Sequence, residues 1–139
     1  YWKDTGTPQD IINANKAVLE NMKPYFRGIK EDGVSINGKA MINENTIIKK
    51  GAHIEGPVII GKNCVIESDT RIGPNTSVGD NSKISKCEIS DSIIMDNCYI
   101  DSEIKIMKSI IAYNSEIISN QKNTNEKILL LGEGTKIIL

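Results

Sequence analysis

The stretch from residue 36 to residue 84 reads INGKAMINENTIIKKGAHIEGPVIIGKNCVIESDTRIGPNTSVGDNSKI, and an aliphatic residue returns in it every six positions. These anchors are Ile36, Ile42, Ile48, Ile54, Ile60, Ile66, Ile72, Val78 and Ile84. A period of six matches neither the roughly 3.6-residue period of an amphipathic helix nor the two-residue alternation of a strand. A short repeat of fixed length is typical of a solenoid, in which each unit stacks on the next.

Two other positions of the repeat indicate how each unit is built. Four residues after each anchor lies a mostly small residue, such as Thr46 or Cys64. Because side chains alternate across a strand, this residue and the next anchor both point inward. Three residues after most anchors lies Asn, Asp or Gly, types that tolerate the left-handed backbone of a sharp corner. The six positions are Asn45, Gly51, Asn63, Asp69, Asn75 and Asn81, whereas Lys39 and Pro57 depart from the pattern.

Past Ile84 the anchors continue at steps of five or six residues, which predicts that the coil persists through shortened corners. Counting in threes assigns the anchors to three faces. Face 1 holds Ile36, Ile54, Ile72, Ile89 and Ile106; face 2 holds Ile42, Ile60, Val78, Ile94 and Ile111; face 3 holds Ile48, Ile66, Ile84, Ile100 and Ile117. The polar residues 119–127 are expected to loop out, and Leu131, Thr135 and Ile137 to resume the repeat as a final strand.

The spacing alone predicts only a strand-and-corner repeat, and a β-meander with chance periodicity is the alternative. The pattern resembles the hexapeptide repeat of left-handed β-helix proteins, in which three hexads form one triangular coil. The resemblance implies a mainly β fold, a single-stranded left-handed parallel β-helix with an N-terminal α-helix. General rules would not predict this hand, because left-handed crossovers between parallel strands are rare.

A helix is predicted to precede the repeat. Thr7 supplies a capping hydroxyl, Pro8 suits the first turn, and Asp10 complements the helix dipole. The expected apolar stripe consists of Ile11, Ala14, Val18 and Met22, with Asn15 and Leu19 beside it, and the helix should end near Lys23 and Pro24. Since one amphipathic helix cannot bury its own stripe, it must dock on the end of the β-helix, on another copy, or on a further domain.

Residues 2–15, WKDTGTPQDIINAN, resemble the segment that ends the catalytic domain of sugar-phosphate nucleotidyltransferases. Residues 55–61 (EGPVIIG), 91–96 (DSIIMD) and 130–134 (LLGEG) are similar to the long form of glucose-1-phosphate thymidylyltransferase within that family. The resemblance implies that residues 1–27 are the end of a catalytic domain plus a linking helix, and residues 28–139 a β-helix domain for assembly or regulation.

The resemblance also implies what a longer parent protein would do. It would join a nucleoside triphosphate to a sugar 1-phosphate, with dTDP-glucose as the expected product, and Mg²⁺ would be held by two aspartates. Asp4 matches the second of these. The Gly-rich phosphate-binding loop of the family and the first aspartate are missing from the 139 residues. The chain by itself is therefore expected to lack nucleotidyl transfer, and because Tyr1 is not an initiator Met, we expect it to be part of something longer.

Composition narrows the possible partners. The formal net charge is −1 and no basic run occurs, so there is no electrostatic footprint for nucleic acid or an anionic membrane. The uninterrupted apolar run at residues 128–131 is far too short to cross a bilayer, and the start of the sequence lacks the features of a secretory signal. We expect a cytoplasmic protein.

The residues just before the face 2 anchors are expected to point outward. They are Met41, Ile59, Ser77, Ile93 and Ile110, and four apolar side chains on one exterior are unusual for a monomer. We therefore interpret Met41, Ile59, Ile93 and Ile110 as an interface, either with another copy in a homo-oligomer or with the parent's own catalytic domain. The alternative is a scatter of ordinary surface aliphatics.

Two other classes of protein stay open. Many hexapeptide-repeat proteins are acetyltransferases that use a His as general base, and His53 is the candidate, with Arg71 and Glu88 expected further along the same exterior. A lone exterior His is more often simply solvated. A bifunctional acetyltransferase and nucleotidyltransferase is a variant of this hypothesis. The third possibility is a structural solenoid without catalysis.

The three cysteines indicate structure rather than chemistry. Cys64, Cys87 and Cys98 lie at or near the small inward positions. Cys64 and Cys98 are predicted two coils apart, roughly 9.6 Å, which is too far for a disulfide. Their spacing is not typical of a zinc site, so they are interpreted as small core residues.

Overall fold

The computed structural model describes residues 7–119 and 126–139, in which one helix is followed by twenty short strands. The helix α1 is Pro8–Glu20. The strands are β1 Tyr25–Phe26, β2 Ile29–Lys30, β3 Ser35–Asn37, β4 Ala40–Ile42, β5 Ile47–Ile48, β6 His53–Glu55, β7 Val58–Ile60, β8 Val65–Ile66, β9 Arg71–Ile72, β10 Thr76–Val78, β11 Lys83–Ser85, β12 Glu88–Ser90, β13 Ile93–Ile94, β14 Tyr99–Asp101, β15 Lys105–Met107, β16 Ile110–Ile111, β17 Glu116–Ile118, β18 Glu126–Lys127, β19 Leu130–Leu131 and β20 Lys136–Ile138.

Every third strand pairs in parallel, which creates a three-sided β-helix. Face 2 is the sheet β1-β4-β7-β10-β13-β16-β19, face 3 is β2-β5-β8-β11-β14-β17-β20, and face 1 is β3-β6-β9-β12-β15-β18. The described residues thus form six complete coils and two strands of a seventh. The first strand, β1, already belongs to the β-helix, although the predicted domain boundary lay at residue 28.

The register confirms the predicted assignment of anchors to faces. Ile54 pairs with Ile72 on face 1, and each is 1% exposed. Leu131 and Ile137 continue the columns as expected, because they pair with Ile111 and Ile117. The predicted loop at 119–127, however, was too long, since Glu126–Lys127 form β18 and pair with β15. The interior is therefore three ladders of branched aliphatic side chains stacked at the spacing of parallel strands, about 4.8 Å.

The small inward positions carry buried hydroxyls that link neighbouring coils. The Thr46 hydroxyl accepts a hydrogen bond from the Cys64 N–H (3.0 Å) and donates one to the Gly61 carbonyl (2.6 Å). Ser82 acts in the same way between the Cys98 N–H (3.1 Å) and the Met95 carbonyl (3.2 Å). Since a buried polar group is costly unless paired, these positions suit Thr and Ser only because the next coil supplies both partners.

The corners follow the predicted chemistry, with one informative extension. All six predicted corner residues have positive φ, from 58° at Asn63 to 84° at Gly51, whereas at the first corner Gly38 takes this role instead of Lys39. Where the step between anchors shortens to five, the positive φ moves to the second residue after the anchor. These residues are Lys86, Asp91 and Lys108. Two lysines thus occupy a conformation that suits Asn or Gly better.

The helix α1 begins and docks in a way that corrects part of the prediction. Thr7 caps the helix as expected, and the Asp10 side chain completes a capping box by accepting a hydrogen bond from the Thr7 N–H. Ile12 and Leu19 are buried within the helix, and Met22 of the predicted stripe is buried just after it. Val18, which was also placed in the predicted stripe, is 62% exposed. The helix also ends at Glu20, ahead of the predicted Lys23.

The docking surface of α1 is the side of the β-helix and not its end. The Ser77 hydroxyl donates to Asn15 Oδ1 (2.8 Å), and Lys39 Nζ donates to the Glu20 carbonyl (2.9 Å). Ser77 lies on β10 and Lys39 directly precedes β4, two coils away, so the helix runs along the stack and covers part of face 2.

The lysine at the shortened corner before β16 gives a test of the corner chemistry. We expect Lys108→Asn to raise the free energy of unfolding by about 0.5–1 kcal/mol, because Asn tolerates the φ of 49° better than Lys. The reciprocal change, Asn114→Lys at φ 62°, should lower it by a similar amount. Denaturant unfolding measures both, and a stabilising Asn114→Lys would contradict the assignment.

Candidate functional site

The exterior of face 1 carries a column of polar and charged side chains in register. The column consists of Ser35, His53, Arg71, Glu88, Lys105 and Glu126, each paired with the next. It confirms the predicted order of His53, Arg71 and Glu88 along one face. The period of the β-helix places these side chains close together because outward residues of successive coils are only about 4.8 Å apart.

A groove of about 340 Å³ lies beside this column. Its floor is open because the residues after two successive anchors, Gly73 and Ser90, are small. A Cβ added at Gly73 would lie 3.1 Å from the Ile89 carbonyl oxygen, so any side chain there would crowd the floor. Pro74 and Met107 also line the groove. The lining of the groove therefore has no side chain at Gly73, which no repeat pattern predicts.

The polar groups of the groove are only partly paired. Lys105 Nζ lies 3.8 Å from a Glu88 carboxylate oxygen. Within residues 7–119 and 126–139, neither the His53 ring nor the Arg71 guanidinium has a hydrogen-bond or ion-pair partner among the contacts found. His53 is exposed and lacks a carboxylate that would orient its ring as in a typical general base. The groove therefore combines carboxylates with the unpaired polar groups of His53 and Arg71, which is the chemistry that holds a small polar ligand.

The three cysteines lie inside the prism and are free thiols. Burial raises the pKa of all three thiols, and the largest cause in each case is the loss of hydration of the charged thiolate. The Cys64 thiol donates to the Gly79 carbonyl (3.1 Å), and the Cys98 thiol to the Ala112 carbonyl (3.2 Å). They act as small core residues with a weak donor. The described part of the chain contains no group of three or more His, Cys, Asp or Glu side chains arranged to hold a metal ion.

The predicted interface residues form a continuous column on the exterior of face 2. Met41, Ile59, Ser77, Ile93 and Ile110 follow one another in register and are all half-buried. Sequence reasoning missed the two ends of this column, Tyr25 and Leu130. Leu130 is 55% exposed. The helix α1 lies against the middle of the column, at Ser77, a possibility that the sequence interpretation had not included.

Asp4, the metal ligand implied by the resemblance, lies outside the described residues, as do the rest of residues 1–6 and residues 120–125. The chain following Asp4 is described from Thr7, the residue that caps α1. Among the described elements, no helix has both the length and the apolar content required to span a bilayer.

Comparison with known proteins identifies the family. The family described as the GMPPB C-terminal domain matches residues 54–138, more than half of the chain. The chain belongs to this family. The match covers the β-helix from β6 to the last strand, so the fold and the family assignment rest on the same residues.

Individual relatives of this GMPPB C-terminal domain protein are nucleotidyltransferases. It is 34% identical over 137 residues to the glucose-1-phosphate thymidylyltransferase of Streptomyces antibioticus, covering 99% of the chain and 38% of that protein. It is 38% identical over 140 residues to the low-salt glycan biosynthesis nucleotidyltransferase of Haloferax volcanii, covering 100% of the chain and 39% of that protein.

A third relative has two activities in its name. The chain is 36% identical over 144 residues to the bifunctional sugar-1-phosphate nucleotidylyltransferase/acetyltransferase of Sulfurisphaera tokodaii, covering 99% of the chain and 36% of that protein. The chain therefore spans somewhat more than a third of the length of each of these three relatives.

Proposed function

We propose that this chain is the C-terminal β-helix domain of a sugar-phosphate nucleotidyltransferase. In the parent protein, a sugar 1-phosphate oxygen attacks the α-phosphate of a nucleoside triphosphate, and pyrophosphate leaves. The observation that carries the proposal is the match of the β-helix to the GMPPB C-terminal domain, together with relatives that bear nucleotidyltransferase names over the whole chain. dTTP and glucose 1-phosphate are the proposed substrates, supported by the thymidylyltransferase relative.

Asp4 is proposed as one of two aspartate ligands of Mg²⁺ in the parent. Carboxylate oxygens are the ligands that Mg²⁺ prefers, and the ion would offset the charge of the reacting phosphates. The position of Asp4 along the chain supports this role, because only three residues separate it from the start of α1 at Pro8. The capping box at Thr7 and the docking of α1 on face 2 would then tie the end of the metal site to the β-helix.

The role proposed for the β-helix itself is assembly or regulation. The apolar column on face 2 supports it, because Leu130 remains exposed beyond the half-buried Ile93 and Ile110. This surface would contact a second copy or the parent's catalytic domain. The three free thiols fit a cytoplasmic location, where cysteines stay reduced.

Pyrophosphate release by the full-length parent tests the catalytic proposal. We expect dTTP with glucose 1-phosphate to be turned over faster than UTP, GTP or ATP, and the 139-residue chain alone to be inactive. Asp4→Asn in the parent should reduce turnover by about 10²-fold or more, since a metal ligand is lost. Asp32→Asn, an exposed acid in the first coil, is the matched control. Absence of pyrophosphate release with every nucleotide would overturn the proposal.

Light scattering of the 139-residue chain tests the face 2 interface. Ile93→Lys with Ile110→Lys should lower the mass of the assembly, because two charges would have to be buried in an apolar contact. The control Val65→Lys introduces one charge in place of an apolar side chain on the exterior of face 3, and it should leave the mass unaltered. An unchanged mass for the face 2 variant, with its fold retained, would rule out a contact between copies there.

The second candidate function is acetyl transfer at the face 1 groove. The groove beside His53 is the specific observation in its favour, and the Sulfurisphaera relative has an acetyltransferase name. His53 would remove a proton from the amine of an amino-sugar phosphate as that amine attacks the thioester carbonyl of acetyl-CoA. An amide bond would form, and the thiol of coenzyme A would leave.

Release of the coenzyme A thiol measures this activity directly. If the groove is catalytic, His53→Ala should reduce the rate by about 10²–10⁴-fold, the usual contribution of a general base. Lys83→Ala, on the exterior of face 3, should have no effect. Equal rates for the unaltered chain and His53→Ala, or no thiol release at all, would exclude this role for His53.

A further inference from the structure

The two ends of the prism are complementary strand edges. The strands β1, β2 and β3 form the first coil, one on each face, and each pairs on one side only. Among the described residues, the strands β18, β19 and β20 lie at the other end of the prism, and each of them also pairs on one side only. A free edge presents unpaired N–H and C=O groups that can pair with another chain. Because all strands are parallel, the last three strands of one copy match the first three of another.

Such a contact would be head-to-tail, so it would generate an open-ended filament rather than a closed oligomer. Solenoids avoid this outcome with terminal coils that differ from the internal ones. The inward-facing residues of the two end coils therefore decide whether copies can stack.

The first coil has a lysine at an inward position of face 3. Lys30 pairs in register with Ile48, which is 0% exposed, so the two side chains point to the same side of the sheet. The other residues at the anchor positions of face 3 are Ile48, Ile66, Ile84, Ile100, Ile117 and Ile137. Lys30 also lines a depression of about 330 Å³ at this end, together with Phe26 and Ile36. A charged group thus takes the place of an aliphatic anchor over the open core.

The opposite end repeats the arrangement on another face. Lys127 pairs with Ile106, which is 1% exposed, in the inward column of face 1. The other two inward residues of this end, Leu131 and Ile137, are aliphatic. Each end of the described prism therefore has two apolar inward residues and one lysine.

We propose that Lys30 and Lys127 prevent head-to-tail stacking of this β-helix. Stacking would enclose both ammonium groups between layers of aliphatic side chains. None of the residues at the anchor positions of the two described end coils is acidic: they are Phe26, Lys30, Ile36, Lys127, Leu131 and Ile137. A buried, unpaired charge is strongly unfavourable, whereas in the single prism both side chains extend to water with their stems over the core.

Replacing both lysines with the residue used by the internal coils tests the proposal. For the Lys30→Ile and Lys127→Ile double variant of the 139-residue chain, we expect the weight-average mass in light scattering to grow continuously with concentration. A roughly tenfold rise between dilute and concentrated samples is expected, because open-ended association has no closing step. The mass of each single variant should increase less with concentration, since one buried charge would remain in every contact between copies. The original chain should keep a finite mass, whatever closed assembly face 2 forms.

Two controls separate end stacking from added hydrophobicity. Lys136→Ile makes the same chemical change in the same end coil, but Lys136 points outward and its partner is Glu116 (3.6 Å). The Lys136→Ile variant should therefore show no continuous increase of mass with concentration. The Lys30→Glu and Lys127→Glu variant keeps a charge at both ends and should also stay finite.

The proposal is overturned if the double Ile variant is folded by circular dichroism yet has the same mass as the original chain at every concentration. Equal growth of Lys136→Ile would overturn it as well. If the Ile pair loses the strand signal, Lys30→Met with Lys127→Met replaces it, because Met keeps the unbranched stem without the charge, and the same outcomes then decide.

Discussion

The structure depends on one constraint, the vertical packing of an aliphatic side chain on its equivalent one coil below. Ile54 over Ile72 shows it, since the two are paired in register and almost wholly buried. A slip of one residue would turn every anchor on a face to solvent. The corner residues and the buried hydroxyls keep successive coils in this register. Asn63 closes a corner without strain on the chain, and Thr46 satisfies polar groups of the two coils it joins.

Much of this fold could be predicted from the sequence because the repeat is local. The period placed the anchors, the faces and six corners correctly, and the capping residues placed the start of α1. The three parallel sheets show that the β-helix has three sides. Its left-handedness was implied only by the resemblance to hexapeptide-repeat proteins. The positive φ at Lys86 and Lys108 was not predicted, because corners were recognised only by residue type and Lys is not typical of positive φ. The exposure of Val18 was missed because Val18 and Leu19 are equally apolar. The contacts of Asn15 with Ser77 and of Glu20 with Lys39 show which side of α1 faces the β-helix.

Less of the candidate site on face 1 than of the fold could be predicted, because the groove does not follow from the repeat. The period orders His53 and Arg71 along face 1 correctly, since outward residues follow the same register as the anchors. The groove beside them is lined by Gly73, which has no side chain, and such an absence has no periodic signature. Likewise, the sequence indicated an apolar exterior on face 2 but gave no reason to place α1 over it, because docking depends on contacts between residues 62 positions apart.

A prism of this kind restricts variation to its surface. Every inward position is committed to packing, so a change there costs stability, while the outward positions can differ freely from face to face. Here face 1 carries a charged groove and face 2 carries a helix over an apolar column. Face 3 begins with the apolar ladder Ile29, Ile47 and Val65 and continues with Lys83 over the Tyr99 ring. On such a scaffold, a new site on one exterior need not disturb the core or the other two faces. This fits the names of the relatives, of which one gives a single activity and another gives two.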